Sequence, residues 1–250
     1  MADRSTDAWY PTAAYLYVLH LDGPALAWEY LRRHPEYRRD WLRRHGHPQT
    51  AQAWGLRLLE DPALDARDAH PVWFPDHDAV LQLYPDADPP PDAALFEFWR
   101  MPGHKHLTHD GKRLVLVSRW PGCCMRLALA PGLADGMAYL YAVRACAAPC
   151  ASYRTITAEL DKLATVNGVA PAAARSRPTP AALLELHTLQ ALDATLAGAS
   201  LRETAEGLFG AETVATGWYA DGGLRSRVRR LVRRGQSLMR GGYRRLAQID

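Results

Sequence analysis

The sequence predicts an α+β protein: a small N-terminal helical segment, a small central antiparallel β-sheet and a C-terminal tri-helical, helix-turn-helix-like domain. Three observations predict it. Apolar residues recur at helical spacing through residues 1–60. The spacing changes to period two between residues 93 and 144. It returns to helical, with clear capping residues, from Thr179 onward. A chain of 250 residues has room for one large domain or two to three small ones, each with its own core.

The N-terminal segment, residues 1–60, is expected as short helices. Pro24 follows Asp22-Gly23 at a first helical position, with Leu26, Tyr30 and Leu31 at helical spacing behind it. Pro35 opens the next helix, carrying Tyr37, Trp41 and Leu42 on one side, and Gly46 closes it. Thr50 can cap a third helix bearing Trp54, Leu58 and Leu59. Trp9, Tyr10, Tyr15, Tyr17 and Trp28 add to these rings, and a core built from large aromatic side chains is the expected result.

Residues 61–92 are rich in proline and aspartate, which suits a linker with one short strand near Val80 to Leu83. Residues 93–150 follow as the β-rich region. Strands are expected at 95–99, 104–109, 113–119 and 125–130, with Asp110-Gly111 as a hairpin turn. Of the four cysteines, Cys123 and Cys124 fall here, with Cys146 and Cys150 beyond; their spacing is poor for zinc and suits small buried thiols. Residues 151–250 form the expected C-terminal domain. A helix is expected at 153–166, then a hinge at 167–180 containing Gly168, Pro171 and Pro178. Thr179 caps a long helix with Pro180 at its first position, and Gly198 stops it. Ser200-Leu-Arg-Glu203 is a capping box that opens a short helix ending at Gly210. Asp221-Gly-Gly223 precedes a long basic helix at 224–240. The stretch 211–223 exceeds a usual helix-turn-helix turn, so it must hold an inserted turn or helix.

Charge distribution carries the functional signal. Between Gly222 and Ile249 there are nine arginines and no acid, which leaves the rest of this +3 chain at −6. A mildly acidic body with one concentrated basic segment points to a nucleic acid or another acidic partner. At 3.6 residues per turn, Leu224, Val228, Leu231, Gly235 and Leu238 form one stripe of the basic helix. Ser226, Arg229, Arg230, Arg233 and Ser237 face the other way, flanked by Arg225, Arg227 and Arg234. Arg240, and Arg244 and Arg245 beyond Gly241-Gly242, extend the set. Guanidinium groups suit phosphates and the paired acceptors of guanine, so these eleven side chains are the candidate contacts to double-stranded DNA. Like charges at Arg225/Arg229, Arg229/Arg233 and Arg230/Arg234 each cost about 0.2–0.5 kcal/mol on an isolated helix, a burden a purely structural helix avoids by mixing signs. The stripe has no Trp or Phe to seat in a lipid interface, which argues against a membrane.

Two runs add a resemblance. The run at 27–33, AWEYLRR, followed by PEYRRDW at 35–41, resembles the transcriptional regulator-like domain of proteobacterial proteins. SLRETAEGLFG at 200–210, with LRSRVRRLVRRGQSLMRGGYRRL at 224–246, looks like the domain of unknown function shared by FseA- and QseM-type regulators. The resemblance implies a helix-turn-helix variant that regulates genes of integrative and conjugative elements, with activation of excision and transfer functions as its role. RNA polymerase or a related regulatory protein is the implied protein partner. The family also includes antiactivators that act by binding the activator, which keeps an adaptor docking on an acidic partner as the alternative.

Enzymatic chemistry has little footing. His104, His106 and His109 precede Asp110, an order unlike that of metallo-hydrolases, and alternation along a strand turns His109 away from the other two. Asp76-His77-Asp78 adds ligand types on a loop. There is no P-loop, no dinucleotide fingerprint and no G-x-S-x-G, so neither cofactor, metal nor catalysis is expected. No uncharged apolar run approaches the ~20 residues of a membrane span, and the N-terminus lacks a secretory pattern, so a cytoplasmic location is expected.

Overall fold

The computed structural model describes residues 9–43, 50–74, 80–109, 113–120, 123–142, 156–157, 159–163, 178–219 and 222–249. In chain order, helices precede and follow a mixed five-stranded sheet, an α+β arrangement.

The N-terminal part opens with a 3-10 segment, Thr12–His20, which the sequence pattern does not reveal. α1 (Gly23–Leu31) starts where expected: the Asp22 carboxylate accepts from the Ala25 N–H at 3.0 Å, and Pro24 sits in the first turn. α2 (Pro35–Leu42) begins at Pro35, with the His34 ring nitrogen accepting from the Glu36 N–H. The expected third helix shrinks to α3 (Thr50–Ala53). Gly55, at φ 74°, turns the chain so that Leu56 bridges Trp73, and Leu58 lies exposed instead of on a helix face. Most of the expected aromatic core is present: Trp9, Tyr15, Trp28, Tyr30 and Tyr37 are buried, and the Trp28 indole N–H donates to the Leu64 carbonyl at 3.0 Å, while Tyr10 is exposed. Gly46 lies outside the described residues.

Residues 61–92 include more than connecting chain. Ala66, Ala69 and Trp73 are buried in the N-terminal core. β1 (Val80–Pro85) fills the expected strand position and is an interior strand of the sheet. The others are β2 (His104–His109), β3 (Leu114–Trp120), β4 (Cys123–Leu129) and β5 (Tyr139–Ala142), in the order β2-β3-β4-β1-β5. β2 and β3 pair antiparallel; the expected turn between them, Asp110-Gly111, lies outside the described residues. Asp76, His77 and Asp78 also lie outside them.

Two expectations for the sheet are corrected. It is mixed, because β1 runs parallel to β4, with Leu81 opposite Leu127. Alternation along a strand reports which face is buried; the direction of a neighbour is set by the long connection between the two. The strand expected at 95–99 reduces to a bridge from Leu95 to Ala138 and a 3-10 turn, Phe98–Arg100. Loop groups take its backbone instead: Phe96 N–H donates to Met137 O and Phe98 N–H to the Asp135 carboxylate, each at 2.7 Å.

Both faces of the sheet are covered. Leu81, Leu83, Leu116, Met125, Leu127 and Leu129 pack with Phe96 and Met101, and with Ile156 and Leu163 of the helical residues 156–157 and 159–163. On the other face, Val115 and Val117 meet Val72, with half-buried Cys124 beside them as a free thiol. Only the backbone of Cys123 is described, and Cys146, Cys150 and residues 164–177, with the hinge glycine and Pro171, lie outside.

Charged side chains join this second face to the N-terminal region. Arg126 of β4 grips Asp22 with two hydrogen bonds, and Arg119 donates to the carbonyls of Arg67 and Ala69. His70 stacks on His106 of β2, ring centroids 3.6 Å apart. His109 points to the opposite face. Among the described residues, no group of three or more His, Cys, Asp or Glu side chains is placed to hold a metal ion.

The His70 pair makes the fold pH-sensitive. Burial, then the neighbouring His106, Arg119, His104 and Arg126, push the His70 imidazole from 6.5 down to about 3. His106 is lowered by burial, which Arg119 and His104 reinforce against the opposing pull of Glu60. Below 6.5 the unfolded chain takes up protons that the folded chain refuses. Stability is therefore full above pH 6.5 and falls as the pH drops from there toward 3. A thermal melting series from pH 7.5 to 5 should show a declining midpoint, and His70→Gln should flatten that decline.

The C-terminal part follows its caps closely. α4 (Pro180–Leu196) is capped by Thr179, and α5 (Leu201–Phe209) starts from a complete capping box between Ser200 and Glu203. The inserted length holds α6 (Ala211–Gly217), anchored by the single buried residue Val214. α7 (Gly223–Ser237) is the basic helix; Asp221 before it lies outside the described residues. A π-type turn, Leu238–Gly242, with Gly241 at φ 145°, leads into α8 (Tyr243–Ala247). This region therefore holds more helices than the three expected. α8 also packs into the N-terminal core, its buried Tyr243 donating a hydrogen bond to the Trp54 carbonyl at 3.1 Å. Among the described residues, no helix is long and apolar enough to cross a membrane.

Candidate nucleic-acid interface

α7 is positioned by what its apolar stripe meets. Val228, Leu231 and Val232 are buried with Ala191 of α4, Ala205 and Leu208 of α5 and Val214 of α6. Gly235 lets α7 approach α4 closely, since a Cβ there would lie 3.0 Å from the Leu192 Cβ and 3.1 Å from the Thr188 carbonyl oxygen. Leu238 is buried as well, and Leu224 is partly buried. The stripe expected from the sequence thus lies against the protein, with Val232 and Met239 added to it.

With that side fixed, the opposite arc is fixed too. Ser226, Arg229, Arg230, Arg233 and Ser237 are all exposed, as is Arg240 one turn further on. Among the described residues, none of Arg229, Arg230, Arg233 and Arg240 has a carboxylate partner. The arc is an acid-free row of guanidinium groups and hydroxyls on a rigid helix. Every charged group in it can donate hydrogen bonds and none can accept them.

Three of the remaining candidates, Arg227, Arg234 and Arg244, have partners inside the protein. The Arg227 guanidinium lies 4.8 Å over the ring of Phe209. Arg225 is half-buried, and its Nε is enclosed with no hydrogen-bond partner among the described residues. Arg234 pairs with Glu185 of α4, whose other oxygen accepts from the Tyr30 hydroxyl of α1 at 2.8 Å. Arg244 donates to the Ala53 carbonyl at 2.6 Å, while Arg245 is exposed. The structure brings Ser226, Arg229, Arg230, Arg233, Ser237 and Arg240 onto one surface and sets Arg234 and Arg244 aside against neighbours. No local pattern identifies Glu185 or Tyr30 as partners of this helix, since the contacts span 49 and 155 residues of sequence.

The end of this surface reaches the N-terminal region. Burial lowers the pKa of His34, at the start of α2; Glu36 opposes that effect, and Arg240 and Arg39 add to it. Arg240 therefore lies near His34.

Three stretches of the chain match described families. Residues 8–58 match a proteobacterial transcriptional regulator-like domain. Residues 78–125, which include β1, β2 and β3, match a domain of unknown function. Residues 143–248, which include α4 to α8, match a family described as "T6SS, Transcription factor, DNA binding domain". A comparison with curated proteins finds no match. The regulator-like and DNA-binding matches support a DNA-binding transcription regulator, with DNA as its partner.

Proposed function

We propose that the chain controls transcription by laying the exposed arc of α7 on duplex DNA, and that it activates excision and transfer genes of an integrative and conjugative element. The observation that carries the DNA contact is the row Arg229, Arg230 and Arg233 on α7, with Arg240 in the turn that follows: among the described residues none has a carboxylate partner, and the other side of the helix is buried. The activating role rests on the resemblance to FseA-type regulators, with RNA polymerase or a related protein as the target. α5, α6 and α7 then act as a helix-turn-helix variant, with α6 as the inserted helix. The function proposed is regulatory rather than catalytic.

The phosphate backbone should dominate affinity. If each of the four arginines neutralises one phosphate, log K should fall with log salt at a slope of about −3.6, or 0.9 per contact. A fluorescence-anisotropy titration of a labelled duplex over 50–200 mM salt measures this. A flat salt response, or no binding to any duplex, sinks the proposal. Retention of an acidic protein in place of DNA would move the reading to the adaptor or antiactivator. For activation, a reporter carrying the upstream region of the excision genes should rise only when the chain is supplied.

A further inference from the structure

We infer that Glu185 is a built-in competitor for the DNA backbone: it withholds Arg234 from the phosphate-binding row, and Tyr30 fixes it in that role. The inference rests on the reading of α7 as the DNA-contacting helix.

Arg234 lies at the flank of the exposed arc, close enough in angle to join it. Its guanidinium turns instead to Glu185, one of whose oxygens it takes. The other oxygen is held by Tyr30, a fully buried residue of α1. Burial and the adjacent carboxylate push the Tyr30 hydroxyl far above its ordinary value, so it stays a donor at any physiological pH. The Glu185 side chain is 14% exposed and that of Arg234 40%. Drawing Arg234 away would leave a nearly enclosed carboxylate without its cation, which costs more than breaking a surface pair. A single phosphate contact at 0.1 M salt returns only about an eightfold gain in affinity. The pair therefore persists when DNA binds, and Arg234 stays out of the row. The residue that fixes this carboxylate belongs to the N-terminal helical region, so that region sets the effective charge of the DNA-contacting helix.

The test is the salt slope for one duplex, measured on the full chain with melting midpoints recorded for each variant. Arg234→Gln should leave the slope unchanged, because Arg234 is not in the row. Glu185→Gln keeps the shape and a partner for Tyr30 but releases Arg234; the slope should steepen by about 0.9, with binding about eightfold tighter at 0.1 M salt. The double variant Glu185→Gln/Arg234→Gln should return to the wild-type slope. Arg233→Gln should flatten the slope by about 0.9, and its failure to do so would count against the α7 reading, separately from this inference. The inference is overturned if Arg234→Gln flattens the slope as Arg233→Gln does. It is equally overturned if a folded Glu185→Gln protein binds with an unchanged slope.

Discussion

Replacing Arg126 with alanine should destabilise the folded chain by about 3 kcal/mol, the low end of the range for breaking a buried ion pair. Arg126 is 6% exposed and meets Asp22 at 2.5 and 3.1 Å through two separate nitrogens. Asp22 also caps α1, so the pair locks the first turn of that helix onto β4. The low end applies because the Asp22 side chain keeps 31% exposure and can partly rehydrate once its partner is gone. In a protein of this size the loss corresponds to a melting midpoint about 6–12 °C lower. Burial pushes the Asp22 carboxyl up, but Arg126 and the Ala25 N–H more than offset this and hold it at about 2. Its contribution is present above the ordinary value of 3.8 and is lost as the pH falls through about 2. Pairing Arg126→Met with Asp22→Asn removes both charges and keeps a capping oxygen. That variant should recover most of the loss, because the desolvation cost disappears with the attraction. A double variant no more stable than Arg126→Ala would show that packing, not charge, holds this junction.

The elements best foreseen from sequence are those fixed by local chemistry. Asp22-Gly-Pro, Thr179-Pro and the Ser200/Glu203 box name their helix starts because each cap satisfies N–H groups within three residues. The two faces of α7 were equally legible, since a 3.6-residue period places Val228, Leu231 and Gly235 together wherever the helix sits. What escaped is set by distant chain. The direction of β1 depends on where a strand some forty residues later lies. α8 is buried against α1, so that a Cβ on Gly23 would meet the Leu246 carbonyl oxygen at 2.6 Å. From sequence, Arg244 and Arg245 read only as further candidate contacts beyond Gly241-Gly242. The same limit explains the candidate site: the wheel distinguishes inward from outward, but it says nothing of which outward arginine another helix will claim. Arg227, Arg234 and Arg244 were claimed by Phe209, Glu185 and Ala53.

Changing Arg229, Arg230 and Arg233 together to glutamine should weaken duplex binding by about 500-fold at 0.1 M salt while leaving the fold as stable as before or more so. Three lost contacts lower the salt slope by about 2.7, and at 0.1 M salt each unit of slope is a factor of ten in affinity. The stability effect has the opposite sign. The three residues are exposed and, among the described residues, carry no ion pair whose loss would cost anything. Their removal relieves the repulsions Arg225/Arg229, Arg229/Arg233 and Arg230/Arg234, worth about 0.2–0.5 kcal/mol each on an isolated helix. Glutamine keeps the helix propensity of arginine, so the backbone has no reason to fray. This opposition of signs separates a binding surface from a structural one. A helix whose arginines serve the fold loses stability and DNA affinity together. A helix whose arginines serve a partner gives up affinity and gains a little stability, and anisotropy and thermal melting on the same preparation distinguish the two. Unchanged affinity in a folded triple variant would remove α7 from the DNA contact altogether.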